Sequence, residues 1–202
     1  MAQLVRACGL SKIELSHGHG HFDNADGFAD VIATYEDAGV DIVCMGQQTF
    51  RGDVSTERKW FDFITQAGAG TITSNFTVDS VPESFHKAEA LAELYDVRLA
   101  LHNHGGRHWL GSVDMLRQVF RTTGKRIGLC LDTAWAIDSR EDPIAMAREF
   151  ADRLYGVHLK DFVYDRARNP EDVIIGEGNL RLREFLKVLE DVGFNGTFVL
   201  EY

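Results

Sequence analysis

Four apolar runs of strand length in this chain each end in a side chain that can bind a metal. They are Leu99-Ala100-Leu101-His102-Asn103-His104, Gly128-Leu129-Cys130-Leu131-Asp132-Thr133, Gly156-Val157-His158-Leu159-Lys160-Asp161 and Thr197-Phe198-Val199-Leu200-Glu201-Tyr202. The stretches between them read as helix. Apolar strands alternating with helices build a parallel sheet, whose ligands bind beyond the carboxyl ends of the strands. In a (β/α) barrel those ends converge on one mouth. Two histidines, an aspartate and a glutamate from consecutive strand ends therefore predict a divalent-metal site.

The rest of the chain repeats the same unit. Strands are expected over 12–16, 40–45, 71–76, 97–102, 127–131, 154–159 and 197–201. Helices are expected over 28–38, 57–67, 82–95, 113–123, 143–150 and 182–192. Gly39, Gly68, Gly124 and Gly193 sit where four of these helices stop. With 202 residues and 45% hydrophobic content, residues 1–202 are expected to be a single domain. The expected fold class is α/β, a (β/α) TIM-type barrel with seven recognisable strands, one short of a closed eight-stranded barrel. A parallel edge left open in this way needs cover. A homo-oligomer would supply it, and a subunit that completes its barrel with a partner is the non-enzymatic expectation.

The formal charge of −10, from 21 basic and 31 acidic residues, opposes a nucleic-acid partner. No stretch reaches the ~18 apolar residues of a membrane span, and residues 1–10 do not resemble a signal peptide. Cys8, Cys44 and Cys130 are too scattered for a disulfide framework or zinc ribbon. They are expected to be buried, reduced thiols in a cytoplasmic protein.

Side chains alternate along a strand. His102 and His104 therefore face one way and Asn103 the other, while His158 shares a face with Lys160. Asp132, Glu201, His102 and His158 would form a mixed nitrogen and oxygen shell. Such a shell suits Mn²⁺, Co²⁺, Zn²⁺ or Fe²⁺, with Mn²⁺ favoured and Mg²⁺ less so. Taken singly, each residue has a plainer account. His158 would be a hydrogen-bonded core histidine, Asp132 a helix N-cap, and Glu201 an exposed residue near the C-terminus.

Weaker signals surround this set. In His17-Gly18-His19-Gly20-His21 the histidines alternate on a glycine-rich loop, expected at the pocket rim with His19 touching substrate. Gln47 and Asn75 are expected to end strands and offer hydrogen bonds. Glu177, in a tight Gly-Glu-Gly turn, is expected to serve a helix N-terminus. Trp135 would stack on a sugar face or cap the core. The loop 162–173, with Tyr164, Arg166 and Arg168, is long enough for a lid.

Together Gly128-Leu-Cys-Leu-Asp-Thr133, Val157-His-Leu-Lys-Asp161, Gly176-Glu-Gly178 and Gly193-Phe-Asn-Gly-Thr-Phe-Val-Leu-Glu201 resemble the xylose isomerase-like sugar phosphate isomerase/epimerase family, a TIM-barrel group. The resemblance implies that Asp132, His158 and Glu201 are metal ligands on the last three strands, and that the barrel lacks its first strand. It implies a divalent-metal-dependent isomerase or epimerase of a ketose or sugar phosphate, acting through an enediolate. His102 and Glu201 would exchange the proton, and His104 and Lys160 would hold substrate hydroxyls or a phosphate. His102 stands where many relatives carry a glutamate that is both ligand and acid/base. That departure favours, as an alternative, a lyase or dehydratase acting on keto-sugars or inosose.

Overall fold

The computed structural model describes residues 1–20, 22 and 24–201. His21 and Tyr202, named above, lie outside the described residues. The chain divides into two compact units, Met1–Leu99 and Ala100–Tyr202.

The first unit opens with α1 (Ala2–Ala7) and β1 (Lys12–Leu15), then α2 (Phe28–Glu36) and β2 (Asp41–Phe50). It continues through α3 (Val54–Gln66), β3 (Thr71–Phe76) and α4 (Glu83–Leu94). β1 pairs with β2 and β2 with β3, both parallel. β2 runs past the expected end at residue 45, so Gln47 lies within the strand. The polar pair Gln47-Gln48 hid this extension. Gln48 is buried but satisfied, donating to Gly46 O at 2.9 Å and pairing with His17 Nε2 at 3.0 Å. Gly46 lets β1 and β2 approach closely, since a Cβ there would lie 2.9 Å from Ser16 Cα.

Aromatic rings fill this unit. Phe22, Phe28, Phe50, Phe61, Phe63 and Phe76 are fully buried. Phe50 stacks on Phe76 with centroids 5.2 Å apart, and Phe22 meets Phe63 at 4.7 Å. α3 supplies Trp60, Phe61, Phe63 and Ile64 from one face, as helical spacing requires. It starts earlier than the sequence suggested because Asp53 caps it, accepting from Ser55 N and Thr56 N.

The strand β4 (Arg98–His102) crosses from the first unit into the second. The second unit then contains α5 (Val113–Thr122), β5 (Ile127–Asp132), α6 (Thr133–Asp138), α7 (Pro143–Glu149) and β6 (Leu154–Leu159). β7 (Phe162–Tyr164), β8 (Pro170–Asp172), α8 (Leu182–Asp191) and β9 (Thr197–Leu200) complete it. β5, β6 and β9 are neighbouring parallel strands, with Asp132 opposite His158 and His158 opposite Val199. Every residue of β5 and β6 is buried, as parallel strands covered on both faces require. Close approach fixes Gly128, where a Cβ would lie 2.3 Å from Arg153 O. On β9, Phe198 and Leu200 stay exposed.

Two expectations change here. The region 162–173 is an antiparallel hairpin of β7 and β8 instead of a plain loop. Cys44 and Cys130 are buried free thiols as expected, but Cys8 is exposed. Among the described residues no helix is long and apolar enough to cross a membrane.

Glu57 yields a direct test of the first unit. Its buried Oε1 accepts from Arg51 N at 2.7 Å, Gly52 N at 2.8 Å and Asp53 N at 3.2 Å. Glu57→Ala leaves these donors without their acceptor and is expected to cost about 3 kcal/mol in urea unfolding. Glu57→Gln keeps an acceptor there and should cost clearly less. Equal stability of all three proteins would show that the carboxylate holds nothing.

A candidate metal centre at the strand ends

His102 ends β4, Asp132 ends β5, His158 lies in β6 and Glu201 follows β9. All four belong to the second unit, and one ligand atom from each lies within 4.8 Å of the others. His102 Nε2 is 3.1 Å from His158 Nδ1, 3.7 Å from Asp132 Oδ2 and 3.8 Å from Glu201 Oε2. His158 Nδ1 is 2.5 Å from Glu201 Oε2. Nitrogens bound to one zinc ion at about 2.1 Å sit roughly 3.0–3.4 Å apart. The histidine pair already has that spacing.

Asp132 answers the plainer account and the metal account together. Its Oδ1 caps α6, accepting from Trp135 N at 2.8 Å. Its Oδ2 is buried with no hydrogen-bond partner, and the residue is fully buried. Burial pushes this carboxyl up from its ordinary value, against the pull of the His102 charge and the Trp135 N–H. A buried carboxylate oxygen left over beside two imidazoles and a second carboxylate fits a cation. The donor set, two nitrogens and two carboxylates, is one that divalent transition metals accept.

Glu201 behaves differently. Partial burial works to raise its carboxyl, but hydrogen bonds and charge from His102 and His158 outweigh it and hold the group well below the ordinary carboxylate range. While Oε2 faces the histidines, Oε1 lies 3.5 Å from Lys160 Nζ. Lys160 is buried, with Nζ 5.7 Å from the Trp135 ring centroid and 5.6 Å from that of Phe162. Trp135 meets Phe162 edge-on at 5.0 Å and lies flush against Gly105, where a Cβ would be 2.3 Å from its ring. It is a packed wall beneath the ammonium.

His104 joins the cluster's flank. Its ring is 4.8 Å from His102 and 4.4 Å from His108. Burial, helped by the two neighbouring imidazoles, lowers it to about 3. His104 is therefore neutral, and its buried Nε2 has no hydrogen-bond partner. His19 lies in the first unit. There its Nδ1 pairs with Ser16 Oγ at 3.1 Å, and its carbonyl accepts from Tyr35 OH at 2.8 Å.

Supporting residues that the sequence did not single out hold this set. Asn103 grips the Asp132 backbone twice, donating to its carbonyl at 3.0 Å and accepting from its N–H at 2.8 Å. Thr133 Oγ1 donates to Lys160 O at 2.6 Å and accepts from Lys160 N at 3.0 Å. Asp161 Oδ1 accepts from Phe162 N and Leu180 N, both at 2.9 Å, and Oδ2 from Gly176 N and Gly178 N, both at 3.0 Å. The Gly-Glu-Gly turn is thus organised by Asp161. The hairpin brings Asp172 Oδ1 to 3.5 Å from Lys160 Nζ. The motifs containing Asn103, Thr133 and Asp161 were visible, but hydrogen bonds to distant backbone leave no periodic trace. Asp172 carried no signal.

A sheet of neighbouring parallel strands with its polar groups at the strand ends defines an α/β class of protein. Residues 3–202 match the xylose isomerase-like TIM barrel, and the chain belongs to that family. Among curated proteins it is 30% identical over 128 residues to a rhizopine catabolism protein, MocC, of Rhizobium meliloti, covering 56% of this chain and 39% of that one. It is 23% identical over 133 residues to an inosose dehydratase of Clostridium beijerinckii, covering 59% and 45%. The matched stretches thus span less than half the length of these relatives. Solved structures share the fold. A xylose isomerase domain protein from Planctomyces limnophilus superposes with a TM-score of 0.79 at 16% identity, covering 100% of this chain and 85% of its own. The IolI protein with a bound zinc atom gives 0.76 at 14%, covering 98% and 81%. A xylose isomerase-like TIM barrel protein from Mycobacterium smegmatis, in complex with magnesium, gives 0.78 at 14%, covering 99% and 79%.

Asp132→Asn separates the two duties of that side chain, because the amide oxygen can still cap α6. Metal-stripped protein should gain about 2.7 kcal/mol of stability at Mn²⁺ or Zn²⁺ concentrations a hundredfold above Kd. The variant should gain little under the same conditions. A wild-type melting curve indifferent to both ions would remove the metal assignment.

Proposed function

We propose that His102, Asp132, His158 and Glu201 hold one divalent cation, Mn²⁺ by preference, and that the chain is an isomerase or epimerase of a ketose-type carbohydrate. The observation that carries this is the split of Glu201, with one oxygen among the ligand atoms and the other facing Lys160 at 3.5 Å. A bound divalent ion would polarise the substrate carbonyl and make the adjacent C–H more acidic. Glu201 is the group to take that proton. Its carboxyl is held in the ionised form by its histidine contacts, and its second oxygen stands outside the ligand cluster. His102 serves better as ligand than as base, since Nε2 lies in the cluster and Nδ1 is buried without a hydrogen-bond partner. His104, neutral, offers one ring nitrogen to a substrate hydroxyl, and Trp135 gives the pocket an apolar wall.

A second reading is dehydration. Lys160 Nζ beside Glu201 Oε1 places a proton donor next to the base. Glu201 would take the α-proton, the C–C double bond would form, and the β-hydroxyl would leave as water with a proton from Lys160. The inosose dehydratase relative supports this reading. In either case the first step is the same removal of an α-hydrogen.

The test is deuterium exchange at the carbon beside the carbonyl, followed by NMR on Mn²⁺-loaded protein in D₂O with neutral ketoses and keto-cyclitols. Exchange with recovered ketose or aldose marks isomerisation, and loss of water with a new conjugated chromophore marks dehydration. Glu201→Gln, at saturating Mn²⁺, should slow exchange by roughly 100-fold or more. Undiminished exchange in that variant would remove Glu201 as the base.

A further inference from the structure

We propose that this site selects uncharged polyhydroxy ketones over their phosphorylated or carboxylated counterparts, and that Asp172 enforces the selection by neutralising Lys160. The inference rests on the function proposed above and narrows its substrate class.

Two independent features point the same way. The first is the state of Lys160. Among the described residues Lys160 is the only buried lysine or arginine, yet its Nζ is 3.5 Å from Glu201 Oε1 and 3.5 Å from Asp172 Oδ1. Asp172 is half exposed, but its backbone is anchored. It faces Phe162 across the hairpin, and the next residue, Val173, donates its N–H to Asp161 O at 3.2 Å. The formal charges of Asp132, Glu201 and Asp172 are balanced by Lys160 and a divalent ion. A phosphate or carboxylate brought among these groups would be uncompensated, and burying unpaired charge is costly.

The second feature is the turn before α8. TIM barrels commonly bind phosphate on backbone N–H groups in the last βα loops, and glycine-rich turns make such cradles. Here Gly176-Glu177-Gly178 has the composition of a cradle, but the anion is already inside it. The Asp161 carboxylate takes the N–H groups of Gly176, Gly178 and Leu180. A Cβ at Gly178 would lie 2.4 Å from Asp161 Oδ1, so the turn is closed around that side chain. Arg168, a cation on the hairpin, is stacked over Tyr164 at 4.6 Å.

The experiment is calorimetry on Mn²⁺-loaded protein with paired probes: D-fructose against D-fructose 6-phosphate, and scyllo-inosose against 3-dehydroshikimate. Wild type should bind at least one neutral member about tenfold more tightly than its anionic partner, a difference of about 1.4 kcal/mol. Asp172→Asn should shrink that preference by about tenfold and leave Mn²⁺ affinity unchanged, with the gain for the anion fading as salt is raised. Tighter binding of the anionic members by wild type overturns the proposal. So does an unmoved ratio in the variant, or no binding of any probe. The function proposed above fails separately, if a bound neutral ketone never exchanges its α-hydrogen.

Discussion

A carboxylate withdrawn from water must be met by positive charge or by hydrogen-bond donors, and Asp132 is met on one side only. Its Oδ1 takes the Trp135 N–H and starts α6, while Oδ2 is left among His102, His158 and Glu201. The surrounding structure serves this imbalance. Asn103 fixes the Asp132 backbone through both ends of its amide, so this strand end cannot shift without breaking two buried hydrogen bonds, and the Trp135 N–H holds the carboxylate itself. Thr133 links the same strand end to Lys160. The four clustered residues stand at or near strand ends, where register sets their spacing.

That register explains why so much was legible in the sequence. The seven sheet strands were each found within a few residues, because apolar runs bounded by glycine and polar residues survive in the sequence as pattern. The metal-competent residues drew attention because each stands at or near the end of such a run. What escaped was held by contacts without period. The far end of β2 is polar and reads as loop, and it is buried only because Gln48 finds Gly46 O and His17. α6 is short and follows β5 without a break, so Asp132 serves as strand end and cap at once. The hairpin of β7 and β8 has a three-residue strand on each side, below what alternation can resolve.

The same limit separates two aspartates that look alike in sequence. Asp132 and Asp161 each follow an apolar strand, and each is buried. Asp161 accepts from four backbone N–H groups, which use both of its oxygens. With its charge answered by donors it can order the turn before α8, and it has little left to offer a ligand. Asp132 accepts one such bond at Oδ1 and keeps Oδ2 unanswered. Composition and alternation give the two residues the same description, whereas the account of their hydrogen bonds assigns one to structure and the other to chemistry. Lys160 lies between these cases. Its charge is answered, but by two carboxylates at 3.5 Å that a substrate of the right charge leaves in place and one of the wrong charge must displace.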